Sequence, residues 1–346
     1  MSHAEPYPEQ TSSWASVKRD QGWEATRICL RQGGHIIGGA QILEKKARGL
    51  IKVGYLNRGP LVSDDALLPR MVDELKAFAS LRGYTYLAVS LPYSGQNAVP
   101  WLERSGFRRR PSDMPPAVWV RSTLILDLRK EPDQLFAEMS STMRKHVRRS
   151  ARAGVVVREG QTADLEEFCR LVLALCERRG VPSNMPGGSS LRKLWDAFAP
   201  GGNMKLFMAE RAGRPLCGLM VLAFGRWARA WRIGWTGDEE KVYPSQAAYW
   251  AAIQWCQQNG FHHFDLLGVD ERDATELLQG RSRDLPFHCS ITQFKVGLGG
   301  NLRLLPGEFC YFPNRALGWV FNAVGDRLAS HPWPRRLLNR LAQSNT

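Results

Sequence analysis

The chain has 346 residues, 44% hydrophobic and 23% charged, with a formal net charge of +14. Such values exclude a disordered or fibrous chain and suit two globular domains of about 100 to 200 residues each. The basic excess points to a polyanionic partner (nucleic acid, a nucleotide diphosphate or an anionic membrane surface), or to no more than an arginine-rich composition.

No run of about 18 uncharged apolar residues occurs, so no membrane span is predicted. The opening MSHAEPYPEQTSSW lacks a basic start followed by an apolar stretch, so no secretory signal is expected. The seven cysteines, at 29, 169, 176, 217, 256, 289 and 310, are scattered and form no CxxC pair. A disulfide framework or zinc site is not expected, and a reducing cytoplasm fits.

Thr26 to Leu30 and His35 to Leu43 read as strands around a Gly33-Gly34 turn. Lys52 to Tyr55 is a strand leading into Asn57-Arg58-Gly59-Pro60. Leu67 to Arg82 is an amphipathic helix stopped near Gly83, Tyr84 to Ser90 a buried strand, and Val99 to Ser105 a short helix stopped by Gly106. Leu124 to Leu128 is strand-like. Pro132 to Ala153 reads as one helix whose second half carries Arg144, Lys145, Arg148, Arg149 and Arg152, with Gly154 at its C-terminal cap. Val155 to Val157 is a strand, Asp164 to Arg179 a helix, Gly180 to Ser190 a loop and Leu191 to Phe198 a helix.

Three strands follow, Lys205 to Glu210, Pro215 to Phe224 and Ala228 to Trp235. Next come a helix over Ser245 to Asn259 and a strand over Phe264 to Leu267. Asp270 to Asp284 reads as a polar loop and Ile291 to Val296 as another strand. Helices are predicted over Trp319 to Leu328 and Arg335 to Leu341. The order meander, helix, strand recurs in Thr26 to Ser90 and in Lys205 to Leu267, which suggests two copies of one α+β unit.

Several stretches, in order, resemble the Fem family of tRNA-dependent peptidyltransferases. They are Thr11-Ser-Ser-Trp14 with Lys18 and Gly22-Trp23; Asn57-Arg58-Gly59-Pro60; Leu126-Asp127-Leu128 with Met143 to Val155; Phe264-Asp265-Leu266-Leu267-Gly268-Val269; and Phe294-Lys295 with Gly297, Gly299-Gly300 and Pro306-Gly307. The resemblance runs from about Thr11 to Phe312. It implies an α+β fold of two tandem GNAT-like (acyl-CoA N-acyltransferase-like) domains without a coiled-coil arm. The first would cover residues 1–130 and be completed by about 305–346, and the second would cover 131–304. It also implies an aminoacyl-tRNA donor and no cofactor beyond that co-substrate. The acceptor would be an amine, on a UDP-linked or lipid-linked muropeptide or on a small molecule, with a peripheral contact at a membrane surface.

Aminoacyl transfer is aminolysis of an ester, and a fixed cation near the developing oxyanion lowers its barrier. The family's essential Phe-Lys pair maps onto Phe294 and Lys295. At an ordinary pKa of about 10.4 this lysine is protonated and steadies the oxyanion rather than acting as a base. The residues alone also allow an edge lysine reaching to water. The cations Arg144, Lys145, Arg148 and Arg149 either grip phosphates or form a solvated helix face. Arg58 either approaches a ligand or holds a turn. Trp235 either stacks on substrate or fills core. Asp265 either orients a substrate-side group or fixes a strand end, and Tyr243 completes the candidate binding set.

No metal site is expected, since His262 and His263 lack partners at ligand spacing. Fem members that use a UDP-linked muropeptide carry an acid after the strand matching Leu87 to Ser90, whereas this chain reads Leu87-Ala-Val-Ser-Leu-Pro92. Nor does the Val181 to Gly188 loop carry the family's Arg or Tyr. An acyl-CoA-dependent N-acyltransferase on the same fold is the alternative, but its (R/Q)-x-x-G-x-(G/A) phosphate loop is missing.

Overall fold

A computed structural model describes residues 7–47, 51–110, 121–183, 185, 188–283 and 286–319. The helices predicted over Trp319 to Leu328 and Arg335 to Leu341 lie almost wholly outside these. The chain divides into two compact units: Met1–Val120 with Leu305–Thr346, and Arg121–Leu304.

The elements of the first unit, in order, are α1 (Ser12–Arg19), β1 (Glu24–Gln32), β2 (His35–Ala47), β3 (Ile51–Asn57), β4 (Leu61–Val62), α2 (Leu68–Leu81), β5 (Tyr86–Ser90), α3 (Val99–Arg104) and β6 (Arg108–Arg109). The second unit follows with β7 (Ser122–Asp127), α4 (Pro132–Ala137), α5 (Ser141–Arg152), β8 (Val155–Glu159), α6 (Leu165–Arg178), α7 (Gly188–Phe198), β9 (Met204–Arg211), β10 (Arg214–Phe224), β11 (Trp227–Trp235), α8 (Pro244–Gln258), β12 (His263–Gly268), α9 (Glu271–Leu278), α10 (Ser290–Gly297) and β13 (Asn301–Leu304). The chain then returns to the first unit with β14 (Glu308–Tyr311).

Among the described residues the first sheet runs β1-β2-β3-β5-β14-β6, with β4 on β2, and the second runs β13-β7-β12-β11-β10-β9-β8. Each contains an antiparallel three-strand meander, a helix, and a strand that returns parallel to the last meander strand: β3 with β5, and β11 with β12. The repeat read from the sequence is therefore a repeat of topology. Strand β14 lies between β5 and β6, so the far end of the chain completes the first sheet. The second sheet takes in β7, which the sequence boundary at residue 130 would assign to the first domain.

The two parallel pairs differ in a way that matters. In the first unit, β3 and β5 stay in register over five residues, Val53 to Asn57 against Tyr86 to Ser90. In the second, β11 and β12 pair only from Trp227 to Arg229 against His263 to Asp265. Strand β11 continues six residues further to Trp235 without that partner. Backbone donors and acceptors along the opening are therefore not paired across it, which suits an extended ligand.

Three local expectations are overturned. The basic run is its own 12-residue helix, α5, because Ser140 caps it by accepting the Met143 N–H at 3.1 Å; the preceding turn, α4, ends at Ala137. The expected loop 270–284 holds α9, capped by Asp270, which accepts the N–H groups of Arg272 and Asp273. The expected strand Ile291 to Val296 is helix α10. There the buried positions Thr292 and Val296 lie four residues apart, which is helical spacing, while Gln293 faces solvent. A fourth, smaller difference is that α7 begins at Gly188, within the expected loop.

Candidate active site

Lys295 lies on α10 near the end of β12, and three features fix it. Its Nζ donates to the backbone carbonyl of Leu267 at 3.1 Å and to that of Gly268 at 2.6 Å. An ammonium has three donors, so one N–H has no partner among the described residues. Burial lowers its pKa to about 8; Asp265 and the Cys289 thiol pull the other way, and Arg179 adds to the lowering. The lysine is thus neither the ordinary pKa-10.4 cation nor the edge-strand residue read from the sequence. It remains mostly protonated at pH 7.

The carbonyls that hold Lys295 exist because β12 turns sharply. Leu267 adopts φ +56°, uncommon for a branched side chain. Asp265 sustains that turn: it accepts the Leu267 N–H at 2.8 Å and the Thr123 hydroxyl at 2.5 Å. Asp265 is fully buried, and these two hydrogen bonds make it a support of the turn. Phe294 turns the other way, and its ring meets Tyr249 of α8 edge-on at 5.2 Å.

Helix α10 is held from its other end by Asp273 of α9. This buried carboxylate accepts the N–H of His288 at 2.9 Å and of Cys289 at 3.0 Å, on separate oxygens. The Asp270 N–H donates to Thr292 of α10 at 2.9 Å. Sequence reasoning missed Asp273, although its place three residues after the capping Asp270 is a helix-start signature. Asp273, Glu276 and His288 also bring potential metal ligands within 4.8 Å of one another. Both Asp273 oxygens hold backbone N–H groups, however, and Glu276 pairs with Arg281, Arg272 and His288. The carboxylate oxygens of the cluster already accept from backbone N–H groups, arginines and His288, and so suit a cation poorly.

The basic residues divide into two groups. Arg144 donates through Nη1 to the carbonyls of Ala137 (2.7 Å) and Met139, closing the end of α4. Lys145, Arg148, Arg149 and Arg152 form no ion pair among the described residues. By contrast, Arg158, Arg170, Arg192, Arg211 and Arg214 of the same unit each pair with an acid. Arg148 lies over Phe136 at 5.2 Å and Arg149 over Tyr243 at 5.6 Å. Tyr243 itself stacks on His146, with ring centroids 3.8 Å apart and planes 8° from parallel.

Trp235 closes β11. The Arg178 guanidinium lies 3.9 Å from its ring centre, and its indole N–H is buried without a hydrogen-bond partner among the described residues. Arg58 belongs to the first unit, where it is buried over the Tyr93 ring at 4.3 Å and donates to the Leu91 carbonyl at 3.4 Å. It holds the turn after β3. The structure thus gathers Phe294, Lys295 and Asp265 around the end of β12, and Tyr243 with Arg149 at the start of α8.

Comparison with known proteins bears on the fold and on the class of enzyme. Residues 137–274 match the acetyltransferase (GNAT) domain family. A UDP-N-acetylmuramoylpentapeptide-lysine N(6)-alanyltransferase from Weissella viridescens is 29% identical over 292 residues, covering 79% of this chain and 83% of the relative. A lipid II:glycine glycyltransferase from Staphylococcus haemolyticus is 25% identical over 216 residues, covering 60% of this chain but only 51% of that longer protein. The crystal structure of FemX superposes with a TM-score of 0.77 at 19% identity, over 91% of this chain and 94% of that one, which establishes the fold. The chain thus has the fold of two tandem GNAT-like domains and is similar to Fem-type transferases.

Proposed function

We propose that the chain moves an aminoacyl group from aminoacyl-tRNA to an amine by aminolysis of the ester. The observation that carries this reading is the third N–H of Lys295, left over after two are fixed on backbone carbonyls. A donor held in place, in a partly desolvated site, acts on an oxyanion without reorganising first.

The amine nitrogen attacks the ester carbonyl and forms the new C–N bond, while the carbonyl oxygen takes up negative charge beside Lys295. As the oxyanion collapses, the C–O bond to the terminal ribose breaks and the ribose oxygen gains a proton. The amine loses one, so the proton count balances. No cofactor is needed, because the ester is already activated. Lys145, Arg148, Arg149 and Arg152 of α5, without an ion pair among the described residues, supply the phosphate contacts that an RNA donor requires. The opening between β11 and β12 offers backbone groups to the aminoacyl end.

The acceptor is an amine, with muropeptides the first class to test, UDP-linked or lipid-linked as in the two named relatives. A small-molecule amine is the second. No helix among the described residues is long and apolar enough to cross a membrane. A lipid-linked acceptor would place the reaction at a membrane surface. The test offers radiolabelled aminoacyl-tRNAs one at a time to a panel of such amines, with and without acetyl-CoA. Label transfer that depends on the tRNA and ignores acetyl-CoA is expected. Transfer from acetyl-CoA that ignores tRNA would overturn the proposal.

A further inference from the structure

Resting on the RNA-donor reading, we infer that Tyr243 and His146, flanked by Arg149, form a stacking platform for the unpaired nucleobase at the donor's 3′ end. The two rings come from different elements, the turn before α8 and the middle of α5, yet lie 3.8 Å apart and within 8° of parallel. Both remain partly exposed, so a third planar ring can extend the stack. Arg149 adds a guanidinium 5.6 Å from the Tyr243 ring. Flat rings beside cations are what a single-stranded nucleic acid uses when it is held without base pairing.

Tyr243 is also held in a costly backbone conformation. Its φ is +56°, and Glu239 at the start of the same turn has φ +50°. A bulky residue keeps such a geometry only where its surroundings impose it, and such positions cluster at ligand sites. Here Arg211 anchors the turn by pairing with Glu239 at 2.6 Å. Burial lowers the His146 pKa, and Lys145 and Arg149 lower it further, so the imidazole stays neutral at pH 7 and stacks without adding charge. Lys145, Arg148 and Arg152 of the same helix, none with an acidic partner among the described residues, are free to follow the RNA backbone.

The spacing is also consistent. Tyr249, six residues along α8 from Tyr243, meets Phe294 beside Lys295. Six residues of helix span about 9 Å. Helix α8 thus links the platform at its start to α10, which carries Lys295, through the Tyr249–Phe294 contact.

The test uses the full chain and two acceptor-stem RNA hairpins, one with a complete unpaired 3′ end and one lacking only the terminal nucleotide, with binding read by fluorescence anisotropy. The wild-type protein is expected to bind the complete end about tenfold more tightly, within the range seen for one stacked base. Tyr243→Leu is expected to abolish that preference and Tyr243→Phe to keep it. His146→Ala, at a partly exposed helix position, tests the platform from its other ring should the Tyr243 turn not tolerate leucine. Arg148→Ala should weaken both hairpins equally and reduce the salt slope by about one. If the wild type prefers the complete end and both Tyr243→Leu and His146→Ala retain that preference, the platform is overturned and the RNA donor stands. If the wild type binds neither hairpin, both fall.

Discussion

Lys295 Nζ donates to the Gly268 carbonyl at 2.6 Å, which places a cation against a strand end that turns away from its neighbour. Burial disfavours the charged form, Asp265 and Cys289 favour it, Arg179 adds to the lowering, and the outcome is a pKa of about 8. Below that value the ammonium can steady an oxyanion; above it the group loses its proton and its charge. The pH profile of kcat/KM should therefore fall on the alkaline side with a midpoint near 8. Lys295→Ala should lower kcat by about 10²- to 10³-fold, the effect of losing one oxyanion donor, without altering the circular dichroism spectrum. Full activity in that variant would remove Lys295 from the mechanism.

Asp273 acts on the same lysine at one remove. It accepts two N–H groups at the entry to α10, and Asp273→Ala would leave both buried donors unsatisfied, at about 1–3 kcal/mol each. Asp273→Asn retains one acceptor and turns an NH₂ toward a donor. The asparagine variant should remain folded at 25 °C, melt several degrees lower, and lose kcat more than it raises KM. An unchanged kcat together with a lowered melting temperature would make Asp273 purely structural.

Much of this was legible in the sequence. The β1–β2 hairpin followed from Gly33-Gly34, α2 from its apolar period, and the α5 stop from Gly154, because each is fixed by local chemistry. Helix α10 was not. The stretch Ile291 to Val296 within it mixes β-branched, apolar and polar types, and a run that short does not separate strand from helix until the burial of Thr292 and Val296 is known. That error carried into the site, because a strand lysine and a helix lysine reach different partners. Whether the cations of α5 are paired depends on contacts far away in the chain. Only the structure separates Arg144, which bonds the end of α4, from Arg149 beside Tyr243.

Glu44 predicts acid sensitivity of the first unit. It receives Arg82 at 2.5 Å, Lys52 at 2.7 Å and the Thr26 hydroxyl at 2.8 Å. Burial alone would raise its pKa, but the hydrogen bonds from Arg82, Lys52 and Thr26 outweigh it and hold the carboxyl at about 2. The folded pKa lies below the unfolded one, so the stabilisation is complete above the unfolded carboxyl's pKa of about 4.3 and is lost as pH falls toward 2. Chemical denaturation followed from pH 7 to pH 3 should show Glu44→Gln losing less stability than the wild type. Parallel losses in the two proteins would show that Glu44 does not drive the transition.

Gly234 lies where β11 presses on α6. A Cβ there would lie 2.5 Å from the Val172 nitrogen and 2.7 Å from the Leu171 Cβ, and the obstacle is mainly helix backbone rather than a flexible tip. The helix must therefore move or the strand must bend, and overpacking of this kind costs about 1–3 kcal/mol. Gly234 also precedes Trp235 at the end of the opening between β11 and β12, so the displacement reaches the donor side of the site. Gly234→Ala should lower the midpoint of urea unfolding and raise KM for aminoacyl-tRNA. Gly213→Ala has open space around its Cβ and a strained φ of +74°, so it should cost stability through backbone strain but leave KM unchanged. Equal effects of the two substitutions on KM would show that the approach of β11 to α6 does not shape the donor site.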